Sequence, residues 1–313
     1  MYKRCLILGG KGFIGSHLVE SLLSQGLSIR VFDRVGAENL IAPNLRSQVE
    51  FIEGDFADEA CVSAALEGCD IGFHLISTTL PKTSNDAPGY DLQSNVLSTI
   101  NLLEKARKTG LKKIVFLSSG GTVYGIPKYV PLDEQHPTDP LCSYGITKLA
   151  IEKYLELYRS LHGIEYAVLR VSNPYGEGQR LIATQGAAAV FLGRALNGEK
   201  VVIWGDGTIA RDYIYVGDVI RGLMAVMNYS GKEHIFNIGS GVPITLLELV
   251  AAIESVVDKK VELEFLPARS LDVPINVLDI NRAECELGWT PKVSLNDGLL
   301  RMKNWITNMA KRQ

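Results

Sequence analysis

The stretch Arg4-Cys-Leu-Ile-Leu-Gly-Gly-Lys-Gly-Phe-Ile-Gly15 decides the fold of this chain. Its first five residues have the apolar character of a buried strand, and its glycines open a segment with helical apolar spacing that continues through Leu23. A second strand-like run, Leu27 to Asp33, ends on a carboxylate about twenty residues after the glycines. A strand, a glycine turn, a helix, a strand and an acid in this order predict a dinucleotide-binding unit.

Each part of this unit has a physical role. Glycines allow backbone amides to approach a pyrophosphate, and the N-terminus of the following helix adds positive potential. Asp33 can hold a ribose 2′-hydroxyl and would repel a 2′-phosphate, so we expect NAD rather than NADP even though Arg34 follows it. A tight packing turn would explain the third glycine but not the acid. The predicted cofactor-binding residues of the unit are Gly9, Gly12, Phe13, Ile14, Gly15 and Asp33.

Strands and helices alternate through the first half of the chain. The pattern predicts strands at 48–53, 71–76, 113–118 and 166–171, and helices at 59–66, 91–108 and 143–161. This alternation implies right-handed crossovers and a parallel, doubly wound α/β sheet, a Rossmann domain. Turn-rich stretches and shorter elements follow. We expect a dinucleotide-binding domain at 1–173 and a smaller C-terminal substrate lobe at 174–313, with segments such as 210–216 returning to the large domain.

Tyr144 and Lys148 form the pair that points to chemistry. They are four residues apart in a segment with helical apolar spacing, so they share one helix face. A free phenol has a pKa of roughly 10 and is a poor base at neutral pH. An ammonium beside it favours the phenolate, which can accept a proton from a substrate hydroxyl. We therefore expect Lys148 to lower the pKa of Tyr144.

Composition excludes several other classes of protein. With 313 residues, 46% hydrophobic residues and a net charge of −3, the chain is typical of a globular enzyme and gives no reason to expect a nucleic acid or an anionic membrane as partner. Its five cysteines have no zinc-like spacing, so no metal is predicted, and their scatter fits a reducing compartment. No signal peptide and no membrane-spanning run is recognisable. We expect a cytoplasmic protein.

Taken together, these motifs resemble the extended short-chain dehydrogenase/reductase family, in particular its NAD-dependent epimerase/dehydratase branch, which acts on nucleotide sugars. The resemblance covers nearly the whole chain. Besides the glycine loop and the Tyr/Lys pair it includes Gly54-Asp55-Phe56, Asn95-Val96, Asn173-Pro-Tyr-Gly, Gly205-Asp-Gly-Thr208 followed by Arg211-Asp-Tyr, and Arg269-x-x-Asp272-Val-Pro.

The resemblance implies a role for each of these residues. Asp55 and Phe56 would contact the adenine, Asn95 would contact the cofactor, and Lys82, Tyr144 and Lys148 would lie at its nicotinamide end. In the second half, Asn173 would bind the substrate, Arg211 and Arg269 its diphosphate and Asp272 its ribose, and Asn276 would stand at the gate of the sugar pocket. An isolated arginine is otherwise more often a surface ion pair.

The sequence departs from the family pattern beside the predicted catalytic tyrosine. The segment reads Ser118-Ser-Gly-Gly-Thr-Val-Tyr-Gly125, and Gly120 stands where the family carries a Ser or Thr. Ser119 and Thr122 are the candidate substitutes. We favour Ser119, because two glycines follow it and Thr122 is expected to hydrogen-bond to its own loop. Gly121 and Thr122 also lack the acids of the 4,6-dehydratases and uronate decarboxylases, which favours the hexose 4-epimerases.

The sequence therefore predicts an NAD-dependent nucleotide-sugar 4-epimerase that interconverts UDP-hexoses or UDP-N-acetylhexosamines through a 4-keto intermediate. By the same resemblance, a homodimer is expected through helices 91–108 and 144–161. A dehydratase or a 4-ketoreductase is the nearest alternative. A non-enzymatic dinucleotide sensor is a further one, although such a protein would have no use for Tyr144 and Lys148.

Overall fold

The computed structural model describes residues 2–181, 186–268 and 273–310. Its large sheet has seven parallel strands in the order β10-β6-β5-β4-β1-β2-β3. These strands are β1 (Arg4–Leu8), β2 (Ser28–Asp33), β3 (Val49–Glu53), β4 (Ile71–His74), β5 (Lys113–Ser119), β6 (Glu165–Val171) and β10 (Ile235–Ile238). The strand order reverses between β1 and β4, which is where a doubly wound sheet binds its ligand. The predicted fold class is confirmed.

Helices cover both faces of this sheet. On one face, α1 (Phe13–Ser24) packs with α7 (Val216–Asn228), burying Leu18 and Leu223 against the strands. On the other face lie α2 (Glu59–Leu66), α4 (Ser98–Thr109) and α5 (Ser143–His162). Apolar residues on both sides of every central strand explain why these strands have nearly continuous apolar runs rather than an alternating pattern.

One predicted helix has a different internal structure. The segment 91–108 is a continuous helical stretch in three parts: α3 (Pro88–Asp91), a π-helical segment (Leu92–Leu97) and then α4. The extra residue per turn in a π segment widens the helix locally, a feature that recurs at functional sites. Buried Asn95 lies within it.

The second half of the chain builds smaller sheets beside the first. Strand β9 (Ala210–Tyr215) pairs with β7 (Asn173–Tyr175), β11 (Pro243–Thr245) and β13 (Ile275–Asn276), while β8 (Val201–Trp204) pairs with β12 (Leu263–Leu266). Helices α6 (Ala187–Asn197), α8 (Leu246–Val257), α9 (Asn281–Leu287) and α10 (Leu295–Ala310) complete the chain.

Two of these elements bear on the predicted domain division. Segment 210–216 was expected to return to the large domain, but β9 belongs to the separate small sheet. The strand from the second half that does join the large sheet is β10, which pairs with β6. The boundary at residue 173 itself stays a prediction. Within the described ranges, no helix is both long and apolar enough to cross a membrane.

Candidate active site

The glycine loop between β1 and α1 forms a close backbone cradle. Gly9 has a φ of +86°, and a Cβ at Gly15 would lie 2.3 Å from the carbonyl oxygen of Gly9, so a side chain cannot be placed there. Gly12 precedes α1 without a side-chain cap, which leaves the backbone amides of the first turn for a ligand. Phe13 and Ile14 form that turn. The cradle therefore fits the pyrophosphate of a dinucleotide.

Asp33 lies beside this cradle at the end of β2. Its carboxylate accepts hydrogen bonds from the backbone N–H of Lys11 at 3.0 Å and of Arg34 at 2.9 Å. Lys11, which no sequence motif singles out, has a buried ammonium that pairs with Glu53 at the end of β3. Because Glu53 already neutralises that ammonium, Lys11 offers less attraction to a 2′-phosphate than a free lysine would. Discrimination against NADP stays a prediction.

The remaining predicted cofactor residues follow the ends of β3 and β4. Phe56 is buried, and Asp55 is exposed with its carboxylate accepting from the N–H of Ala57 at 2.9 Å. Asn95 accepts from the N–H of Thr78 at 3.0 Å, which ties it to the loop after β4. Lys82 lies exposed in the same loop. All four thus lie on the carboxyl side of the sheet, the expected ligand edge.

Helix α5 brings Tyr144 and Lys148 together as the spacing predicts. The ammonium of Lys148 lies 5.6 Å from the centroid of the Tyr144 ring and 4.6 Å from that of Phe116. It donates a hydrogen bond of 2.9 Å to the carbonyl oxygen of Leu117, near the end of β5. That bond fixes the lysine between the sheet and the phenol.

Burial opposes the ionisation expected of this pair. It raises the pKa of Tyr144 to about 12, with only the Ser77 hydroxyl lowering it. It also lowers the pKa of Lys148 to about 8, although the nearby carboxylates of Glu152 and Asp91 act in the opposite direction. Burial is therefore the largest influence on both pKa values, and the expected lowering of the Tyr144 pKa by Lys148 stays a prediction.

The segment after β5 holds the two candidate hydroxyls. Ser119 is half-buried at the end of β5. The Thr122 hydroxyl is closed off from solvent and has no hydrogen-bond partner among the described residues, so the expected bond to its own loop is absent. At Gly120 a Cβ would lie 2.6 Å from a methyl carbon of Leu278, so a Ser or Thr there would require the Leu278 side chain to shift.

The small sheet collects three of the predicted substrate residues. Asn173 on β7 donates from its amide to the carbonyl oxygen of Asp212 at 2.9 Å. Arg211 on β9 is half-buried and lies in register with Asn276 on β13. Buried Asn276 donates to the carbonyl oxygen of Gly120 at 3.0 Å, so this sheet touches the segment beside Tyr144. Arg269 and Asp272 lie outside the described residues.

Similarity to known proteins identifies the family of this chain. Residues 5–239 match the model of the NAD dependent epimerase/dehydratase family. This chain belongs to that family. A putative UDP-glucose 4-epimerase of Methanocaldococcus jannaschii is 38% identical over 304 residues, which are 97% of this chain and 98% of that protein. The predicted family and its NAD cofactor are thereby confirmed.

Solved structures agree with this family assignment. A crystal structure of the Thermotoga maritima UDP-glucose 4-epimerase with UDP-glucose has a TM-score of 0.93 at 35% identity, covering 98% of this chain and 99% of that one. The Thermus thermophilus UDP-glucose 4-epimerase in complex with NAD has a TM-score of 0.90 at 32% identity, covering 97% and 99%.

Proposed function

We propose that this family member is an NAD-dependent nucleotide-sugar 4-epimerase acting on UDP-hexoses or UDP-N-acetylhexosamines. The observation that carries this proposal is the convergence of three parts at one sheet edge. The glycine cradle lies at the end of β1, the Tyr144–Lys148 pair stands beside the end of β5, and Asn276 of the small sheet contacts Gly120. The 4-epimerases among its relatives support the same function.

The chemistry needs a base at the sugar C4 hydroxyl. Phenolate Tyr144 takes the proton of that hydroxyl, and C4 loses a hydride to become a 4-keto carbon. When bound, NAD supplies the oxidised nicotinamide that accepts this hydride and returns it. The hydride returns to the opposite face of the turned sugar, and Tyr144 gives the proton back to the C4 oxygen.

The protein's own residues set up this exchange. Since burial holds the pKa of Tyr144 high, its phenolate needs positive charge nearby, and the Lys148 ammonium is one source of it. Ser119 offers a half-buried hydroxyl at the end of β5 for a hydrogen bond to the C4 oxygen. Asn173 is expected to contact the substrate and Arg211 its diphosphate, and these roles, like those of Arg269 and Asp272, stay predictions from the motif.

Gly121 and Thr122 argue against elimination and decarboxylation. Those reactions need an acidic side chain beside the substrate to handle a second proton, and neither residue carries one. A 4-ketoreductase would use the same Tyr/Lys pair but would consume a reduced cofactor with every turnover.

A panel of nucleotide sugars tests the proposal. The purified protein is incubated with UDP-glucose, UDP-galactose, UDP-N-acetylglucosamine and UDP-N-acetylgalactosamine without a reduced cofactor, and the sugars are separated by chromatography. We expect the same mixture of 4-epimers from either side, and none from Tyr144→Phe. Conversion that requires stoichiometric oxidation of NADH or NADPH would instead identify a reductase.

We also propose that the enzyme acts in the cytoplasm as a homodimer. All five cysteines lie within the described ranges and are free, which suits a reducing compartment. On α5, Ile146, Leu157 and Leu161 are exposed at spacings that return to one side of the helix. Leu97, at the end of the π segment, is exposed as well. Apolar side chains grouped in this way suit a second copy of the chain.

A further inference from the structure

Asp91 is a fully buried carboxylate that the proposed reaction does not use. It is the last residue of α3, immediately before the π-helical segment, and it has no solvent-exposed surface. Among the described residues, no lysine, arginine or histidine side chain pairs with it as a salt bridge. A buried carboxylate without a cation must be stabilised by hydrogen-bond donors.

Four polar side chains surround this carboxylate, and three of them donate to it. Its Oδ1 accepts from the Thr79 hydroxyl at 2.5 Å and from the Asn95 amide at 2.9 Å. Its Oδ2 accepts from the Ser143 hydroxyl at 2.6 Å, while the Thr147 hydroxyl lies 3.4 Å from Oδ2 and donates to the carbonyl oxygen of Tyr144 at 2.9 Å. Three separate elements therefore meet at one side chain: the loop after β4, the π segment and the start of α5.

The two polar residues from α5 that face Asp91 stand immediately before the catalytic pair. Ser143 precedes Tyr144 and Thr147 precedes Lys148, so Asp91 holds the turn of helix from which both side chains project. The neighbouring segment reinforces this contact. The N–H of Ser143 donates to the Asn85 side chain at 2.8 Å, and the N–H of Tyr144 donates to the Ser84 hydroxyl at 3.0 Å.

We propose that Asp91 is a positioning residue of this enzyme, whose carboxylate fixes the first turn of α5, and with it Tyr144 and Lys148, against Asn95 and the loop after β4. This proposal rests on the proposed function only for the expected effect of Asp91 on the reaction rate. Small displacements of a base from its substrate are costly, so loosening this turn should slow proton transfer while leaving substrate binding largely intact.

The hydrogen-bond chemistry of the four surrounding side chains suggests a pair of variants. The Asn95 amide nitrogen can only donate, and it faces Oδ1, whereas Oδ2 faces two hydroxyls, which can also accept. An asparagine at position 91 can therefore keep its oxygen toward Asn95 and direct its amide toward Ser143. Asp91→Leu keeps the branched shape of the side chain, with methyl groups larger than the carboxylate oxygens, and offers no acceptor at all.

Steady-state kinetics with UDP-glucose test the consequence for the rate. We expect Asp91→Leu to lower kcat by about 30-fold or more, with the KM for the sugar within about threefold of wild type. Asp91→Asn should restore most of the rate. Ser143→Ala, which removes one donor and perturbs folding less, should lower kcat by about three- to tenfold. Asp218→Leu is a matched control. Asp218 is equally buried, but its carboxylate accepts from the backbone N–H groups of Lys292 and Val293, which are not part of α5.

Hydrogen–deuterium exchange tests the placement itself and does not depend on activity. Peptides covering 141–150 should exchange at least about tenfold faster in Asp91→Leu than in wild type, with Asp91→Asn protected and peptides from α10 unchanged. Unchanged exchange at the start of α5, or an unchanged kcat in folded Asp91→Leu, would overturn the proposal. So would an equal loss of kcat in the Asp218 control. If wild type converts no sugar nucleotide, the proposed function fails, and exchange alone decides whether Asp91 fixes this helix.

Discussion

At the scale of single residues, Gly120 shows how one departure from a family motif depends on a distant side chain. The sequence alone identifies the missing hydroxyl but not the residue that faces position 120. That residue is Leu278, which follows β13 and whose methyl groups would have to shift to admit a Cβ at position 120. Because the two residues come from different halves of the chain, only the folded structure reveals that they constrain each other.

The first prediction is that Ser119 supplies the hydroxyl that Gly120 lacks. Ser119→Ala should lower kcat by about 10²-fold, the usual range for a positioned proton-transfer group, while NAD stays bound. Thr122→Ala should cost less, because its hydroxyl is closed off from solvent. Turnover and bound NAD are measured on both variants. A crippled Thr122→Ala beside a normal Ser119→Ala would reverse the two roles, and full activity in both would leave Tyr144 acting alone.

Asn276 leads to a prediction about substrate size. It is much shorter than a tyrosine and stands beside Gly120, so the pocket should admit an N-acetyl group at C2 of the sugar. Its side-chain oxygen is buried without a hydrogen-bond partner among the described residues, and an amide N–H of the substrate would satisfy it. We expect turnover of UDP-N-acetylglucosamine as well as UDP-glucose, and selective loss of the former in Asn276→Tyr. Rejection of UDP-N-acetylglucosamine by wild type would contradict this.

Lys148 leads to a prediction about pH. Its pKa of about 8 means that the ammonium loses its proton as pH rises through 8, and with it the positive charge beside the phenol. We expect kcat/KM to fall on the alkaline side with a midpoint near that value, because this parameter reports the free enzyme. In Lys148→Arg the side chain stays charged, so any remaining activity should persist to higher pH. A wild-type profile flat up to pH 10 would show that the Lys148 charge is not needed.

At the scale of elements, local patterns predict what they directly control. The bounds of β1 and α2 follow from their own apolar spacing and agree with the sequence prediction. The π segment at Leu92–Leu97 could not be predicted, because apolar spacing does not distinguish a π turn from an α turn. The contacts of Asn95 with Thr78 and of Asp91 with Ser143 likewise join parts of the chain that a local pattern does not connect. The partner strands of β9 could not be predicted either, since an apolar run does not specify which strand will pair with it.

An ion pair buried beneath the active site joins three of these elements. Glu152 on α5 binds Arg170 on β6 at 2.7 Å and accepts from Ser118 on β5 at 2.5 Å, and both charged side chains are buried. Removing one partner leaves the other charge buried and unpaired. We therefore expect Glu152→Leu to lower the free energy of unfolding by about 3–5 kcal/mol.

Urea unfolding measures this loss. The double variant Glu152→Leu/Arg170→Met should lose less stability than the sum of the two single variants, because it leaves no unpaired charge. Lys260→Ala is the control: its ammonium pairs with Glu254 but is 92% exposed, and ion pairs at the surface contribute ~1 kcal/mol or less. An unchanged unfolding midpoint in Glu152→Leu would show that the pair contributes nothing.

At the scale of the whole molecule, the chain assembles its site from both halves. The cofactor cradle could be read from the sequence because all its parts lie within about thirty residues. The substrate side could be read only through the family motifs, since Asn173, Arg211 and Asn276 come together through the pairing of β7, β9 and β13. The nucleotide-sugar 4-epimerase predicted from those motifs agrees with the chain's relatives.

The last prediction concerns assembly. Leu157 and Leu161 are 44% and 65% exposed on the outer side of α5, where an isolated chain would leave them in water. If two copies pack α5 against α5 about a two-fold axis, each residue near the axis lies close to the same residue of the other copy. A glutamate introduced at such a position therefore places two like charges in the interface, and burying them prevents association. Light scattering should therefore give twice the chain mass of 34.3 kDa for wild type and 34.3 kDa for Leu157→Glu/Leu161→Glu. Leu300 lies on α10 and is 45% exposed. The variant Leu300→Glu should remain dimeric, and it controls for the added charge. A wild-type protein that scatters as a monomer at micromolar concentration would show that this face has no second copy to cover it.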